Sequence, residues 1–209
     1  MRGTQEAHTV ACVNLRERKK EATRQALSRA AVDLALEHGP ENVRVEDIAA
    51  AAGVSPRTYN NYFSSREAAI CAIPVARNRE LGERLRARPP QEPLAEACVR
   101  AVLEHHAEQG SPDWRIMRMI FCDRGLHGEF LKSHKAMSQP LVEAIAERCG
   151  LDPERDMFPT LLAASLGTAV RIATQHWLEH EQHTGRPLLD ALREGLLHVA
   201  PVASAHDHR

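Results

Sequence analysis

The sequence has few aromatic residues, no clustered cysteines and no surplus of charge of either sign. Phe, Trp and Tyr make up 4% of the 209 residues, which argues against a ligand pocket built as an aromatic cage. The five cysteines are scattered and contain no Cys-x-x-Cys pair, which argues against a disulfide framework or a zinc cage. Because 27 Lys and Arg face 28 Asp and Glu, net charge neither requires nor forbids a polyanionic partner.

Segments typical of export or membrane insertion are also missing. The N-terminal residues lack an apolar signal core, and the longest apolar stretch, around Leu161 to Val170, is too short to cross a bilayer. We therefore expect a soluble, cytoplasmic protein with no membrane partner. No segment shows the alternating pattern of a strand, so we predict an all-α fold.

Helical periodicity and helix-stop signals divide the chain into three parts. Residues 1–15 lack periodicity and predict a flexible arm. Residues 16–88 predict a first helical domain that includes a connecting helix, with its boundary at the proline-rich ARPPQEP segment that follows Arg86. Residues 89–209 predict a second helical domain, with helices at about 93–108, 114–122, 128–148, 152–181 and 187–200.

A helix-turn-helix motif lies near the N-terminus. A first helix over 16–38 precedes a short helix over 45–51, and Gly53 breaks the latter. Ser55-Pro56 then opens a third helix that ends near Tyr62 or Phe63, since a capping serine followed by proline is a strong helix start. Ser64 and Glu67 form a Ser-x-x-Glu capping box for the connecting helix.

Side-chain spacing on the third helix separates a packing face from a reading face. Tyr59 and Phe63 fall on one side, whereas Arg57, Asn60 and Asn61 fall on the other. Arginine can bond guanine, and asparagine can bond adenine, through two hydrogen bonds in the major groove. A buried scaffold has no need of such a stripe, so the pattern predicts DNA binding.

Two stretches, TRQALSRAAVDLALEHG and VEDIAAAAGVSPRTYNNYFSSREA, resemble the tetracycline-repressor (TetR) family of bacterial regulators. The resemblance covers about Arg16 to Ile73 and implies a homodimer of about nine helices per chain, with a C-terminal ligand-binding and dimerisation domain. Arg44 stands where the family often has a capping threonine, and Asn60 where it often has an aromatic residue. Positions that match the family's DNA contacts are Thr23, Val45 (through its backbone), Ser55, Arg57, Thr58, Asn60, Asn61, Tyr62 and Arg66.

The predicted function is therefore a ligand-responsive repressor that releases a pseudo-palindromic operator when it binds a small molecule. An activator of the same fold stays open as an alternative. No cofactor, bound metal or catalytic residue is predicted. We expect Arg57→Ala to relax base preference and Arg66→Ala, at a phosphate contact, to weaken binding to all sequences alike.

The second domain offers candidates for a pocket and an interface. A set of mostly apolar residues could line a ligand cavity, although the same residues could equally belong to an ordinary core. These residues are Trp114, Met117, Phe121, Phe130, His134, Met137 and Trp177. Apolar stripes on the last two helices predict a two-fold four-helix dimer interface, although part of each stripe could instead be core. The predicted interface residues are Leu162, Leu166, Val170, Leu189, Leu192 and Leu196.

Two other classes of function are weaker readings of the sequence. His176, His180 and His183 share a helical face and have a spacing that can bind metal, although a solvated stripe explains them as well. Cys122, Asp123 and His127 come nearest to a nucleophile and base, but their spacing does not place Cys122 and His127 on one helical face. No glycine-rich phosphate loop or nucleophile-elbow motif occurs.

Overall fold

A computed structural model of the chain describes residues 3–108, 113–181 and 183–207, with side chains described for 16–108, 113–133, 136–181 and 183–204. The chain forms two compact units. Unit 1 comprises Met1–Ile73 with Asp123–Glu129, and unit 2 comprises Pro74–Cys122 with Phe130–Arg209. The described residues form helices and turns without a strand, which confirms the all-α prediction.

The first four helices contain the helix-turn-helix. They are α1 Gly3–His38, α2 Val45–Ala51, α3 Pro56–Asn60 and α4 Arg66–Arg79, with a 3-10 turn at Pro40–Asn42. Helix α1 packs on α2, and α2 packs on α3. Leu27, Ile48 and Ile70 are completely buried, so apolar side chains from α1, α2 and α4 contribute to the interior as the sequence periodicity predicts.

Seven further helices follow: α5 Leu81–Arg86, α6 Leu94–Glu108, α7 Trp114–Cys122, α8 Arg124–Lys132, α9 His134–Cys149, α10 Met157–His176 and α11 Leu188–Asp207. A π-helical segment, Trp177–Glu181, prolongs α10. Glu80 alone separates α4 from α5, and Ser133 alone separates α8 from α9. If each interrupted pair is counted as one helix, the described residues contain the nine helices that the family resemblance implies.

Several helix ends differ from the sequence prediction. Helix α1 begins at Gly3 rather than near Arg16, because no proline or second glycine interrupts the segment and extending an existing helix costs little. The cap of α4 is Ser65 rather than Ser64, since the Ser65 Oγ accepts the Ala68 amide at 3.1 Å. The single helix predicted over 128–148 is instead α8 and α9.

The division between the units falls at Pro74, inside α4, whereas the sequence predicts a domain boundary near residue 88. The reason lies in α5, whose Leu81 and Leu85 belong to the main core of unit 2. The ARPPQEP segment is also tied down within unit 2. Arg148 donates to the backbone carbonyls of Pro89 and Glu92, each at 2.6 Å, so this segment is a bound turn. The functional limits 16–88 and 89–209 stay a prediction.

Helix α10 with its π-helical extension forms a longer apolar helix than the sequence stretch suggests. Met157–Glu181 is long and apolar enough to span a membrane, with a mean hydropathy of 1.3, although the sequence stretch looks too short. Its inward residues Leu162, Leu166 and Ala169 are buried in the main core of unit 2. Because α10 packs on both α9 and α11, part of this apolar surface lies in the core of unit 2.

Candidate nucleic-acid interface

The turn between α2 and α3 sets the direction of the third helix. Gly53 has φ 69°, a left-handed conformation that glycine adopts without steric cost. The Val54 amide donates to the Ala49 carbonyl at 2.9 Å, which closes the end of α2. Ser55 then caps α3, with its Oγ accepting the Thr58 amide at 3.1 Å. The sequence-based prediction of a serine cap followed by proline is confirmed here.

Tyr59 fixes α3 from its inner side. The Tyr59 ring is completely buried, and its centroid lies 5.8 Å from that of Phe63. The Tyr59 hydroxyl donates to the Ser65 carbonyl at 2.7 Å. Burial raises the pKa of Tyr59 to about 12, and the nearby Glu67 carboxylate adds to this. The phenol therefore stays protonated and remains a hydrogen-bond donor at neutral pH.

The opposite side of α3 faces solvent. Arg57, Asn60 and Asn61 are exposed, whereas Thr58 and Tyr62 are half-buried. This arrangement confirms that α3 has one packing face and one polar face. The polar face presents guanidinium and amide groups of the types that bond base edges in a major groove. Their contact with DNA stays a prediction.

Three of the hydroxyl groups at predicted DNA-contact positions, those of Ser55, Thr58 and Thr23, already have local partners. Ser55 Oγ and Thr58 Oγ1 lie 2.9 Å apart and share a hydrogen bond. Thr23 Oγ1 donates to the Lys19 carbonyl, also at 2.9 Å. A hydroxyl has one proton to donate, so Thr23 would have to exchange this bond for one to a phosphate.

Arg66 occupies a position that sequence reasoning did not foresee. Its Nη1 donates to the carbonyls of Glu41 and Val43 at 2.7 and 3.1 Å, and its Nε donates to Glu67 Oε1 at 2.7 Å. Burial raises the pKa of Glu67, but the hydrogen bond and charge of Arg66, with further hydrogen bonds from the backbone and Ser65, outweigh this effect and lower it. In this structure Arg66 joins α4 to the segment before α2, and a phosphate contact from it stays a prediction.

The beginning of α2 lacks a side-chain cap. Arg44 holds the N-cap position and makes no capping hydrogen bond, as the departure from the family pattern implies. Val45, the first helical residue, is half-buried. Backbone N–H groups at an uncapped helix start need other partners, and phosphate oxygens are suitable ones. The predicted backbone contact of Val45 is compatible with this geometry.

The predicted ligand-pocket residues are not brought into one described cavity. Phe121 and Phe130 meet, with ring centroids 5.9 Å apart. Met117 and Trp177 pack on a small cluster around Ala173 and Leu192, and the Trp177 Nε1 donates to the Arg186 carbonyl at 2.7 Å. Met137 is buried and Trp114 is 43% exposed. The side chain of His134 lies outside the described residues.

The predicted dimer-interface leucines need correction. Leu162, Leu166, Leu192 and Leu196 are at most 2% exposed, because α10 and α11 pack these side chains into the core of their own chain. Val170 and Leu189 are half-buried against the same interior. Side chains that are completely buried in this way cannot form the surface that meets another protomer, whereas the half-buried Val170 and Leu189 stay predicted contacts. The large apolar residues exposed on the described parts of these two helices are instead Met157, Leu161, Ile172 and Leu197.

A groove of about 560 Å³ runs between α10 and α11 on their outer side. Small and apolar residues line most of it, including Ala164, Ala169 and Ile172, and His176 and Glu194 lie among its polar lining. The helices come very close here, since a Cβ atom on Gly195 would lie 3.1 Å from that of Ala173. None of the seven predicted pocket residues lines this groove.

The described residues give no support to the metal-binding interpretation of the histidines or to the catalytic interpretation of Cys122. The rings of His176 and His180 lie 4.8 Å apart, but no group of three metal-ligating side chains occurs among the described residues. His176 Nδ1 instead lies 3.6 Å from Glu181 Oε1. Asp123 Oδ1 accepts the Leu126 amide at 2.8 Å, so this carboxylate serves as a helix cap.

The fold and the α2–turn–α3 geometry together define a helix-turn-helix DNA-binding regulator with a helical second domain. Comparison with known families supports this description in both parts of the chain. Residues 27–70 match the bacterial regulatory proteins of the tetR family, and residues 88–204 match the MftR C-terminal domain. The chain therefore belongs to the TetR family of transcriptional regulators.

Individual relatives lead to the same family. The chain is 32% identical over 172 residues to the HTH-type transcriptional regulator TcmR of Streptomyces glaucescens, a match that covers 78% of this chain and 76% of TcmR. It is 26% identical over 171 residues to the mycofactocin biosynthesis transcriptional regulator MftR of Mycobacterium tuberculosis, covering 78% of this chain and 84% of MftR.

Solved structures share the fold. FadR of Bacillus halodurans matches with a TM-score of 0.56 and 18% identity, covering 84% of this chain and 93% of FadR. Thermus thermophilus FadR, solved in complex with lauroyl-CoA, matches with a TM-score of 0.53 and 24% identity, covering 84% and 92% of the two chains. NalD of Pseudomonas aeruginosa matches with a TM-score of 0.56 and 22% identity, covering 88% and 95%.

Proposed function

We propose that this regulator is a cytoplasmic repressor whose α3 reads a pseudo-palindromic operator and whose second domain releases the DNA when a small molecule binds. The observation that carries the proposal is the division of α3 into a buried Tyr59 face and an exposed Arg57/Asn60/Asn61 face. The buried face holds the helix in place, so that the exposed side chains enter the major groove without further ordering. We assign the chain no catalytic role.

Repression of this kind requires two copies of the chain, because a pseudo-palindromic operator has two half-sites. We propose that a second copy covers the groove between α10 and α11. Ile172 lines this groove and is 55% exposed beside small residues that allow close helix packing, and Leu161 and Leu197 are exposed elsewhere on the same two helices. An isologous contact between two such faces would bury these apolar side chains in a four-helix interface.

The effector belongs in unit 2. The related fold of T. thermophilus FadR accommodates lauroyl-CoA, which supports a role for this architecture in holding small molecules. An effector relieves repression only if it binds more tightly to the protein conformation that does not fit the operator.

Gel shifts at two salt concentrations test the proposed function. We expect the protein to bind DNA that flanks its own gene more tightly than a random duplex of equal length, with the preference persisting at the higher salt. Any bound fragment then serves to screen small molecules for release. Equal, weak binding to both duplexes would overturn the proposal.

Analytical ultracentrifugation tests the dimer. We expect Ile172→Glu to shift the protein toward monomer, because a carboxylate would be buried against the partner copy. Leu131→Glu is the matched control, since Leu131 is 45% exposed on α8, away from the groove. A monomeric wild type at micromolar concentration, or equal behaviour of the two variants, would contradict this interface.

A further inference from the structure

Arg66 connects the two ends of the helix-turn-helix. It is the first residue of α4 and follows α3 closely along the chain. Its Nη1 donates to the carbonyls of Glu41 and Val43 at 2.7 and 3.1 Å. Both carbonyls belong to the segment that leads into α2, and the Val43 side chain is buried. One guanidinium therefore joins the chain that enters the motif to the chain that leaves it.

The guanidinium of Arg66 is turned toward acceptors of its own chain. Its Nε donates to Glu67 Oε1 at 2.7 Å, so the Nε and Nη1 groups are both bonded within unit 1. The Arg66 side chain is 34% exposed. A phosphate contact through these two nitrogens would require Arg66 to leave two carbonyls and the carboxylate that balances its charge. The geometry therefore favours a role in holding the motif.

The start of α4 also holds α3. The Tyr59 hydroxyl donates to the carbonyl of Ser65, the residue before Arg66, and α2 packs on α3. Two adjacent residues thus attach the pair of helices at different points: Ser65 accepts a bond from α3, and Arg66 bonds the segment ahead of α2. Loss of the Arg66 bonds weakens one of these attachments and gives the α2–α3 pair a wider range of tilt.

From this placement we infer that Arg66 is a positioning residue that sets how well the regulator discriminates its operator from other DNA. The inference rests on the proposed function. Groups that bond base edges must be held within about 0.5 Å of their productive positions. Phosphate contacts carry no sequence information and depend chiefly on charge. A wider range of tilt therefore costs more affinity on the operator than on a random duplex.

The test uses three single variants of the full chain. Arg66→Ala removes the guanidinium. Arg66→Lys keeps the positive charge, but an ammonium group on a flexible stem does not reproduce the planar fork that bonds several acceptors at once. Arg29→Ala is the matched control, because Arg29 is an exposed arginine on α1 in the same unit.

The operator is obtained by selecting sequences that the wild type enriches from a randomised duplex library. Thermal melts followed by circular dichroism show which variants are folded at the working temperature. Stoichiometric titration with the operator gives the active fraction, which corrects each affinity. A purely structural loss lowers this fraction and leaves the ratio of operator to random-duplex affinity unchanged. If Arg66→Ala does not fold, Arg66→Lys provides the test.

We expect Arg66→Ala and Arg66→Lys each to lower this ratio about three- to tenfold, within the range of coupling between residues in contact. The slope of log K against log salt on the random duplex should stay at the wild-type value, and Arg29→Ala should keep the wild-type ratio. A direct phosphate contact predicts a different result for Arg66→Ala, namely an unchanged ratio and a slope reduced by about 0.9 per protomer. It also predicts that Arg66→Lys restores binding.

A double variant tests whether Arg66 acts through α3. In an Arg57→Ala background, Arg66→Ala should lower the ratio by a smaller factor than in the wild type, because one of the base contacts that it positions is already lost. Equal factors in the two backgrounds, an unchanged ratio, or full recovery by Arg66→Lys would overturn the inference while the proposed function stands. If no sequence is enriched at all, the proposed function fails and this inference fails with it.

Discussion

The hydroxyl of Tyr59 donates a 2.7 Å hydrogen bond to the backbone carbonyl of Ser65. Through this bond the inner face of α3 is tied to the residue that caps α4. Arg66 adds a second connection, because its guanidinium bonds the carbonyls of Glu41 and Val43 ahead of α2. The exposed face of α3 is thus supported from behind by bonds that involve no DNA.

Replacing Tyr59 by phenylalanine removes only the hydroxyl. We expect Tyr59→Phe to lower the free energy of unfolding by about 1 kcal/mol, the usual net value of one intramolecular hydrogen bond. Urea unfolding measures this change. Tyr62→Phe is the control, because Tyr62 is a half-buried tyrosine in the turn just after α3, and it should leave stability unchanged. Equal effects of the two variants would contradict the supporting role of Tyr59.

Arg66 and Arg57 should separate stability from recognition. Arg66→Ala leaves the Glu41 and Val43 carbonyls without their charged donor, so we expect a loss of about 1–3 kcal/mol in unfolding free energy. Arg57→Ala alters an exposed side chain and should leave stability unchanged within about 0.5 kcal/mol. Chemical denaturation of both variants checks this expectation. A stable Arg66→Ala protein with uniformly weakened DNA binding would favour the simple phosphate contact predicted from the sequence.

Gly82 is required by the packing of α5 on α9. A Cβ atom at this position would collide with the Pro140 backbone carbonyl, lying 2.6 Å from its carbon. Backbone cannot move aside as a flexible side chain can, so we expect Gly82→Ala to destabilise the protein by about 2 kcal/mol or more.

The matched control is Gly128→Ala, because a Cβ on Gly128 in α8 would meet nothing within 4 Å. It should stabilise the protein by up to about 1 kcal/mol through helix propensity. Melting temperatures that move in the same direction in both variants would refute the close approach of α5 and α9.

His105 makes stability depend on pH. Its side chain on α6 is 1% exposed, and burial, with the neighbouring His106 and Arg84, lowers the pKa of His105 to about 4. The unfolded chain therefore binds more protons than the folded chain between pH 6.5 and 4, so folding stability is present above this window and falls as the pH drops through it.

We expect the free energy of unfolding to be about 2 kcal/mol lower at pH 5 than at pH 7 from this histidine. His105→Gln should flatten the dependence even if it shifts stability at every pH. Denaturation curves at the two pH values provide the measurement. A wild type and variant with parallel pH profiles would show that His105 does not cause the dependence.

Local signals in the sequence predicted the helix-turn-helix site better than they predicted the second domain. Spacing on one short helix was enough to separate Tyr59 from Arg57 and Asn60, because a helix fixes side-chain direction. The roles of Arg66 and Ser65 escaped prediction. Arg66 bonds carbonyls more than twenty residues away, and the choice between adjacent serines as the cap depends on where the helix begins. An arginine two residues after a candidate cap is too common a signal to reveal such a bond.

The leucines of α10 and α11 show why interfaces are harder to predict. An apolar stripe looks the same in sequence whether it packs in its own core or against another copy. Leu162, Leu166, Leu192 and Leu196 lie in the core, while Ile172 and Leu197 lie on the surface. Only the rotation of each helix about its axis distinguishes these sets, and tertiary packing determines that rotation.

The most direct test of the central claim is the ratio of affinities for an enriched operator sequence and a random duplex, measured for wild type and Arg57→Ala at one salt concentration. If α3 reads DNA, Arg57→Ala should lose about 1–3 kcal/mol on the operator and little on the random duplex, so the ratio falls at least several-fold. An unchanged ratio, with both affinities lowered together or neither altered, would contradict the claim that this face of α3 reads bases.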